Sequence, residues 1–101
     1  MKEELPVDPS ASSNIKWARF DPVAEVVQID FKDKDGNYAS TYEYGDREGL
    51  PNARKFTRQD WERFREAERP GEHFAYAIRG KYPYRKVRTK GEPKKEQEKL
   101  F

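Results

Sequence analysis

The residues best suited to chemistry lie late in the chain, in Ile78-Arg79-Gly80-Lys81-Tyr82-Pro83-Tyr84-Arg85-Lys86-Val87-Arg88, where five cations interleave with two tyrosines. Cations beside a phosphate chain release its condensed counterions, and an aromatic face stacks on an unpaired base at about 1–3 kcal/mol. Arg79, Lys81, Arg85, Lys86 and Arg88 are therefore candidate phosphate contacts, with Tyr82, Tyr84 and Tyr42 as candidate stacking rings. A plainer alternative has Tyr82 and Tyr84 packing along a sheet edge while the cations keep that edge soluble and unpaired. The tyrosine row Tyr38, Tyr42 and Tyr44 carries the same ambiguity, because a stacking platform on a sheet resembles a packed sheet face.

The rest of the inventory argues against catalysis. His73 is the only histidine and there is no cysteine, so a multi-histidine metal site and a thiol nucleophile are both excluded. A lone histidine on a short amphipathic helix reads as structural or solvent-facing. Neither GxxxxGK[ST] nor GxGxxG occurs. Asp33-Lys34-Asp35-Gly36-Asn37 superficially resembles a calcium loop. Its glycine falls at the fourth place instead of the sixth, however, and Tyr44 stands where the bidentate glutamate belongs, so a hairpin turn is expected. The expectation is a protein that is not an enzyme, with no metal and no cofactor.

Length and charge point the same way. The chain has 101 residues, 40% of them charged and 14% aromatic, enough for one folded domain with polar margins. Residues 1–78 hold 12 basic and 16 acidic side chains, whereas residues 79–101 hold nine basic and three acidic. A slightly acidic body with a basic end suggests an acidic partner, foremost RNA or single-stranded nucleic acid. No apolar run approaches the roughly 18 residues of a membrane span, so no membrane association is expected and a cytoplasmic location is. The small core makes a homo-oligomer, or one gripping a nucleotide-sized ligand, a lesser expectation.

Three short strands must position these residues. Ile15 and Trp17 alternate with Lys16 ahead of an Asp21-Pro22 turn, and Val27, Ile29 and Phe31 share one face of the next strand. Tyr38, Ser40, Tyr42 and Tyr44 alternate on the third, after the glycine turn. Turns this short give an antiparallel meander. Thr57-Arg58-Gln59-Asp60 has capping-box spacing and opens a helix with Trp61, Phe64 and Ala67 on one stripe; both tryptophans are expected in the core. Pro70-Gly71 breaks that helix, and a second follows at 72–79 with Phe74 and Ile78 on one face. The fold class is α+β: a three-stranded antiparallel meander covered by two short helices, a short C-terminal extended segment, and flexible termini. The folded part spans 12–88, between a loose leader at 1–11 and a charged tail at 89–101.

Between strand and helix, residues 45–56 form a charged loop. It supplies a second functional reading, a protein-interaction or regulatory module docking on a host protein through Arg47, Leu50, Arg54, Lys55 and Phe56. The alternative for Phe56 is a staple holding the helix start against the core.

The order of these pieces resembles the KTSC domain, which occurs at the C-terminus of some lysyl-tRNA synthetases and as small free-standing bacterial and phage proteins. The resemblance covers about residues 12–88. It rests on Ser12-Ser13-x-Ile15, Phe20-Asp21-Pro22, a hydrophobic strand ending at Phe31, and Tyr42-Glu43-Tyr44. It closes on Gly71-x-x-Phe74-x-x-x-Ile78-Arg79 running into Gly80-Lys81-Tyr82-Pro83-Tyr84-Arg85-Lys86-Val87. The chain departs from the family in its long 45–56 insertion and in Ala75 and Ala77, where members commonly carry Asn and His. The resemblance implies RNA binding, the usual conjecture for a family with no established activity.

Overall fold

The computed structural model describes residues 3–6 and 14–89. Five strands, not three, make the sheet: β1 (Glu3–Pro6), β2 (Ile15–Asp21), β3 (Val26–Lys32), β4 (Tyr38–Tyr44) and β5 (Tyr84–Thr89). They lie in chain order, each antiparallel to the next. The three central strands are the expected meander. β5 is the extended segment, docked in register on β4, whereas β1 was expected to be loose leader. Among its described side chains the apolar one packed against the core is Leu5, too little to show as a pattern. It is held instead by distant groups: Glu3 accepts hydrogen bonds from Arg58 (2.5 Å) and the Trp61 indole (3.1 Å), and Glu4 accepts one from the Trp17 indole (2.7 Å). Most of the leader and residues 90–101 of the tail, with Lys90 among its cations, lie outside the described residues.

The turns follow from side chains that replace backbone partners. Asp21 accepts the N–H groups of Val23 and Ala24, and Asp33 accepts those of Asp35 and Asn37, while Gly36 supplies the positive φ (+84°) that closes the second turn.

Helix α1 (Arg58–Glu66) opens on the expected capping box: the Thr57 hydroxyl accepts the Asp60 N–H while the Asp60 carboxylate accepts the Thr57 N–H. Helix α2 (Pro70–His73) starts on the proline expected to act as a breaker, which is tolerated in a first turn because its missing N–H has no partner there anyway. It runs directly into a π-helix over Phe74–Ile78.

Directly paired residues share a face, so the register divides the sheet into two surfaces. One carries the core. Phe20, Val27, Tyr44 and Tyr84 form one row across β2–β5, and Ala18, Ile29, Tyr42 and Lys86 the next. Trp61 stacks on Phe20 (5.5 Å, 13°), and Phe56, Phe64, Phe74 and Ile78 complete the layer, all buried. Phe56 is fully buried, as the staple reading has it.

Among the described residues no helix covers the other face, which is polar and tightly bonded. Asp30 takes a bidentate pair from Arg19 (2.6 and 3.1 Å) and the Thr41 hydroxyl (2.6 Å). Glu43, only 1% exposed, takes Gln28, Arg47 and Arg85. Trp17 belongs to this face and is part-exposed, unlike Trp61. Among the described residues, no helix is long and apolar enough to cross a membrane.

Candidate nucleic-acid interface

The turn from the π-helix into β5 decides where the basic and aromatic residues go. Gly80 takes a positive φ (+74°) and the Lys81 N–H closes on the Ile78 carbonyl, reversing the chain. The Pro83 carbonyl then accepts the Gly45 N–H, and this bond sets Tyr84 opposite Tyr44. From there the strand alternates, with Tyr84 and Lys86 on the helix-bearing face and Arg85 on the polar one, until a register shift between Thr41 and Tyr42 puts Arg88 on the polar face as well.

On the helix-bearing side, running from under the π-helix out to the sheet edge, three tyrosines form a shelf. Tyr84 stacks on Tyr44 (5.9 Å, 29°), Tyr44 on Tyr42 (6.4 Å, 27°), and Tyr42 lies 6.0 Å from Tyr84. Phe74 and Phe31 hold the inner rings edge-on, Phe74 against Tyr44 (5.3 Å) and Phe31 against Tyr42 (6.0 Å). Burial, reinforced by Tyr42 and Tyr84, pushes the Tyr44 hydroxyl up to about 12, partly offset by the charge of nearby Arg79. Tyr84 stands at the outer edge, 64% exposed, beside the exposed Lys86. Among the described residues, Arg79, Lys81 and Lys86 make no salt bridge.

The remaining candidates are placed elsewhere. Tyr82 is only 7% exposed, its ring against Phe56 (5.3 Å) and under the Arg54 guanidinium (4.2 Å), so neither face is open to a base. Burial, with Asp60 accepting its hydroxyl, pushes its pKa up to about 12. Arg85 is tied to Glu43, and Arg88 lies over the Tyr38 ring (5.2 Å). The five expected cations therefore do not share one patch. Lys86 is on the shelf, Arg79 is near enough for its charge to act on Tyr44, and Lys81 is exposed in the turn between them, while Arg85 and Arg88 are on the opposite face. A stretch without acids in sequence is not without acids in space, because β4 supplies Glu43.

The 45–56 loop is largely built into the fold. Arg47 pairs with Glu43 (2.8 Å), Lys55 donates to the Asp46 carbonyl, and the Asp46 carboxylate accepts the Glu48 and Leu50 N–H groups. Leu50, 59% exposed, is the loop's outlying apolar side chain.

One grouping had no sequence signal. Arg54 from the loop, Asp60 and Arg63 from α1, His73 from α2 and Tyr82 from the turn line a recess of about 60 Å³. Four separate segments supply these residues, so no spacing rule brings them together.

A five-stranded antiparallel meander with a helical layer carried between its last two strands defines the class of this domain, α+β. No protein-family model matches the chain, and no curated protein does. Among solved structures, the crystal structure of a KTSC domain protein from Yersinia pestis matches with a TM-score of 0.64 and 25% identity, over 87% of this chain and 100% of that one. The chain forms a KTSC-like domain.

Proposed function

We propose that this protein is a non-enzymatic module that binds single-stranded nucleic acid, RNA foremost, on the tyrosine shelf. One observation carries the reading: a ring 64% exposed, propped by two further tyrosines, beside a lysine with no salt bridge among the described residues. A solvent-facing aromatic on an edge strand keeps an apolar face in water, and a stacked base removes that face from water with little regard to sequence. Tyr84 would take that base, with Tyr42 behind it, while Lys86, Arg79 and Lys81 hold the flanking phosphates. The choice of RNA rests on the family resemblance, through its occurrence in lysyl-tRNA synthetases.

Titrating a short unstructured RNA at several salt concentrations, with fluorescence as the signal, tests this reading. Three phosphate contacts give a slope of about −2 in log affinity against log salt, where all five cations would give about −3.5. Tyr84→Ala should weaken binding by about tenfold, within the range of one stacked base. Arg85→Gln, on the opposite face, should change it little. No binding at low salt, or full affinity in Tyr84→Ala, refutes the shelf.

A further inference from the structure

We propose that the recess between the loop, α1 and the π-helix binds a phosphoryl oxyanion at a place separate from the tyrosine shelf. Its floor is apolar, made by the buried Phe56 and Ile78, and its walls carry the cations. About 60 Å³ is several times the roughly 10–15 Å³ that a single water needs.

The donors are positioned but underused. The Arg54 guanidinium is held over the Tyr82 ring, its central carbon 4.2 Å from the ring centroid. Arg54 Nη2 and Arg63 Nη1 both approach Asp60 Oδ1, at 3.9 and 3.5 Å. A saturated guanidinium–carboxylate hydrogen bond is about 2.7–2.9 Å long, so each arginine is held near Asp60 with its donors unspent. Asp60 meanwhile accepts the Thr57 N–H (3.0 Å) and the Tyr82 hydroxyl. It acts as a post that aims two guanidiniums into one space, and two cations against one carboxylate leave that space positive.

His73 completes the wall, packed on Phe64 (5.8 Å) and Tyr76 (5.7 Å). Burial, then the charge of Arg63, lowers its pKa, so the imidazole is neutral at neutral pH and offers a donor without a charge. The other charged groups around it, Glu66, Glu68, Arg69 and Glu72, border the adjoining open groove, where Arg69 and Glu72 pair with each other (3.2 Å). Two guanidiniums and an imidazole converging from three segments suit the three oxygens of a phosphoryl group better than the two coplanar oxygens of a carboxylate. The group could arrive as free phosphate or at the end of a nucleic acid.

As the only histidine, His73 provides an isolated reporter. Its imidazole resonances are followed by NMR while inorganic phosphate is added at constant ionic strength, with chloride as the control. Phosphate should shift them and raise the His73 pKa. Arg54→Gln and Arg63→Gln, both at positions at least half exposed, should each weaken the response by about tenfold while keeping the circular dichroism of the wild type. Lys86→Ala should leave it intact, which separates this site from the shelf. A response to a 5′-phosphorylated tetranucleotide that its 5′-hydroxyl twin lacks supports a nucleic-acid source, and a response to phosphate alone supports a free anion. No shift with phosphate or with either oligonucleotide, or an undiminished response in both arginine variants, overturns the proposal.

Discussion

Replacing Glu43 with glutamine removes the one negative charge that joins the loop, β3 and β5 on the polar face. Burial alone would push this carboxyl up. The hydrogen bonds from Arg47, Gln28 and Arg85 outweigh that and hold it at about 2, against an ordinary 4.5. At about 1.36 kcal/mol per pKa unit the displacement corresponds to about 3 kcal/mol. Arg47 and Arg85 are 41% and 56% exposed, and solvent screening at those guanidiniums reduces the expectation to about 1–2 kcal/mol. Because the folded value lies below the unfolded one, this stability is fully present above about pH 4.5 and is lost as pH falls through about 2. Urea unfolding followed by tryptophan fluorescence should therefore find Glu43→Gln less stable by about 1–2 kcal/mol at pH 7, a drop of roughly 5–15 °C in Tm. The gap between the two proteins should be roughly halved by pH 3. A gap that stays constant from pH 7 to pH 3, or no gap at pH 7, would refute the assignment of this stability to the ionised carboxylate.

Two further outcomes are expected from backbone and cap geometry. Gly45→Ala should cost about 2–3 kcal/mol in thermal unfolding, because φ is +114° and a Cβ there would lie 2.8 Å from the Glu25 carbonyl oxygen and 3.1 Å from the Phe56 nitrogen; a loss under about 1 kcal/mol would show that the β4 end adjusts freely. Thr57→Ala should cost about 1 kcal/mol, with Thr57→Ser recovering most of it, and an unchanged Tm would mean that the capping box adds nothing.

Local signals were legible where one segment carries them whole. The Val27–Ile29–Phe31 alternation, the aspartate and glycine turns and the Thr57 cap each specify their element without help from elsewhere, and together they give the central meander and α1. What escaped depends on distant partners. Glu3–Pro6 becomes a strand because Trp61 and Arg58, more than fifty residues away, bind Glu3. The run from Arg79 to Arg88 reads as one basic patch, but strand alternation sends Arg85 to Glu43 and Lys86 to the tyrosines. Tyr82 is lost from the shelf for the same reason: the turn at Gly80 aims it at Phe56 before β5 begins. The two tyrosines are two residues apart, and only the start of the strand between them decides that one is core and the other surface.

The unbroken β1-to-β5 strand order has a practical consequence for attachment. Four interstrand steps of about 4.8 Å separate the outer strands by about 19 Å, with β1 at one rim and the shelf strand β5 at the other. A protein or tag joined ahead of β1 is thus carried on the rim remote from Tyr84 and leaves the rings open to solvent. An addition made just past β5 leaves from Thr89, opposite Ser40, on the same rim as the rings but roughly 16 Å along the strand from Tyr84.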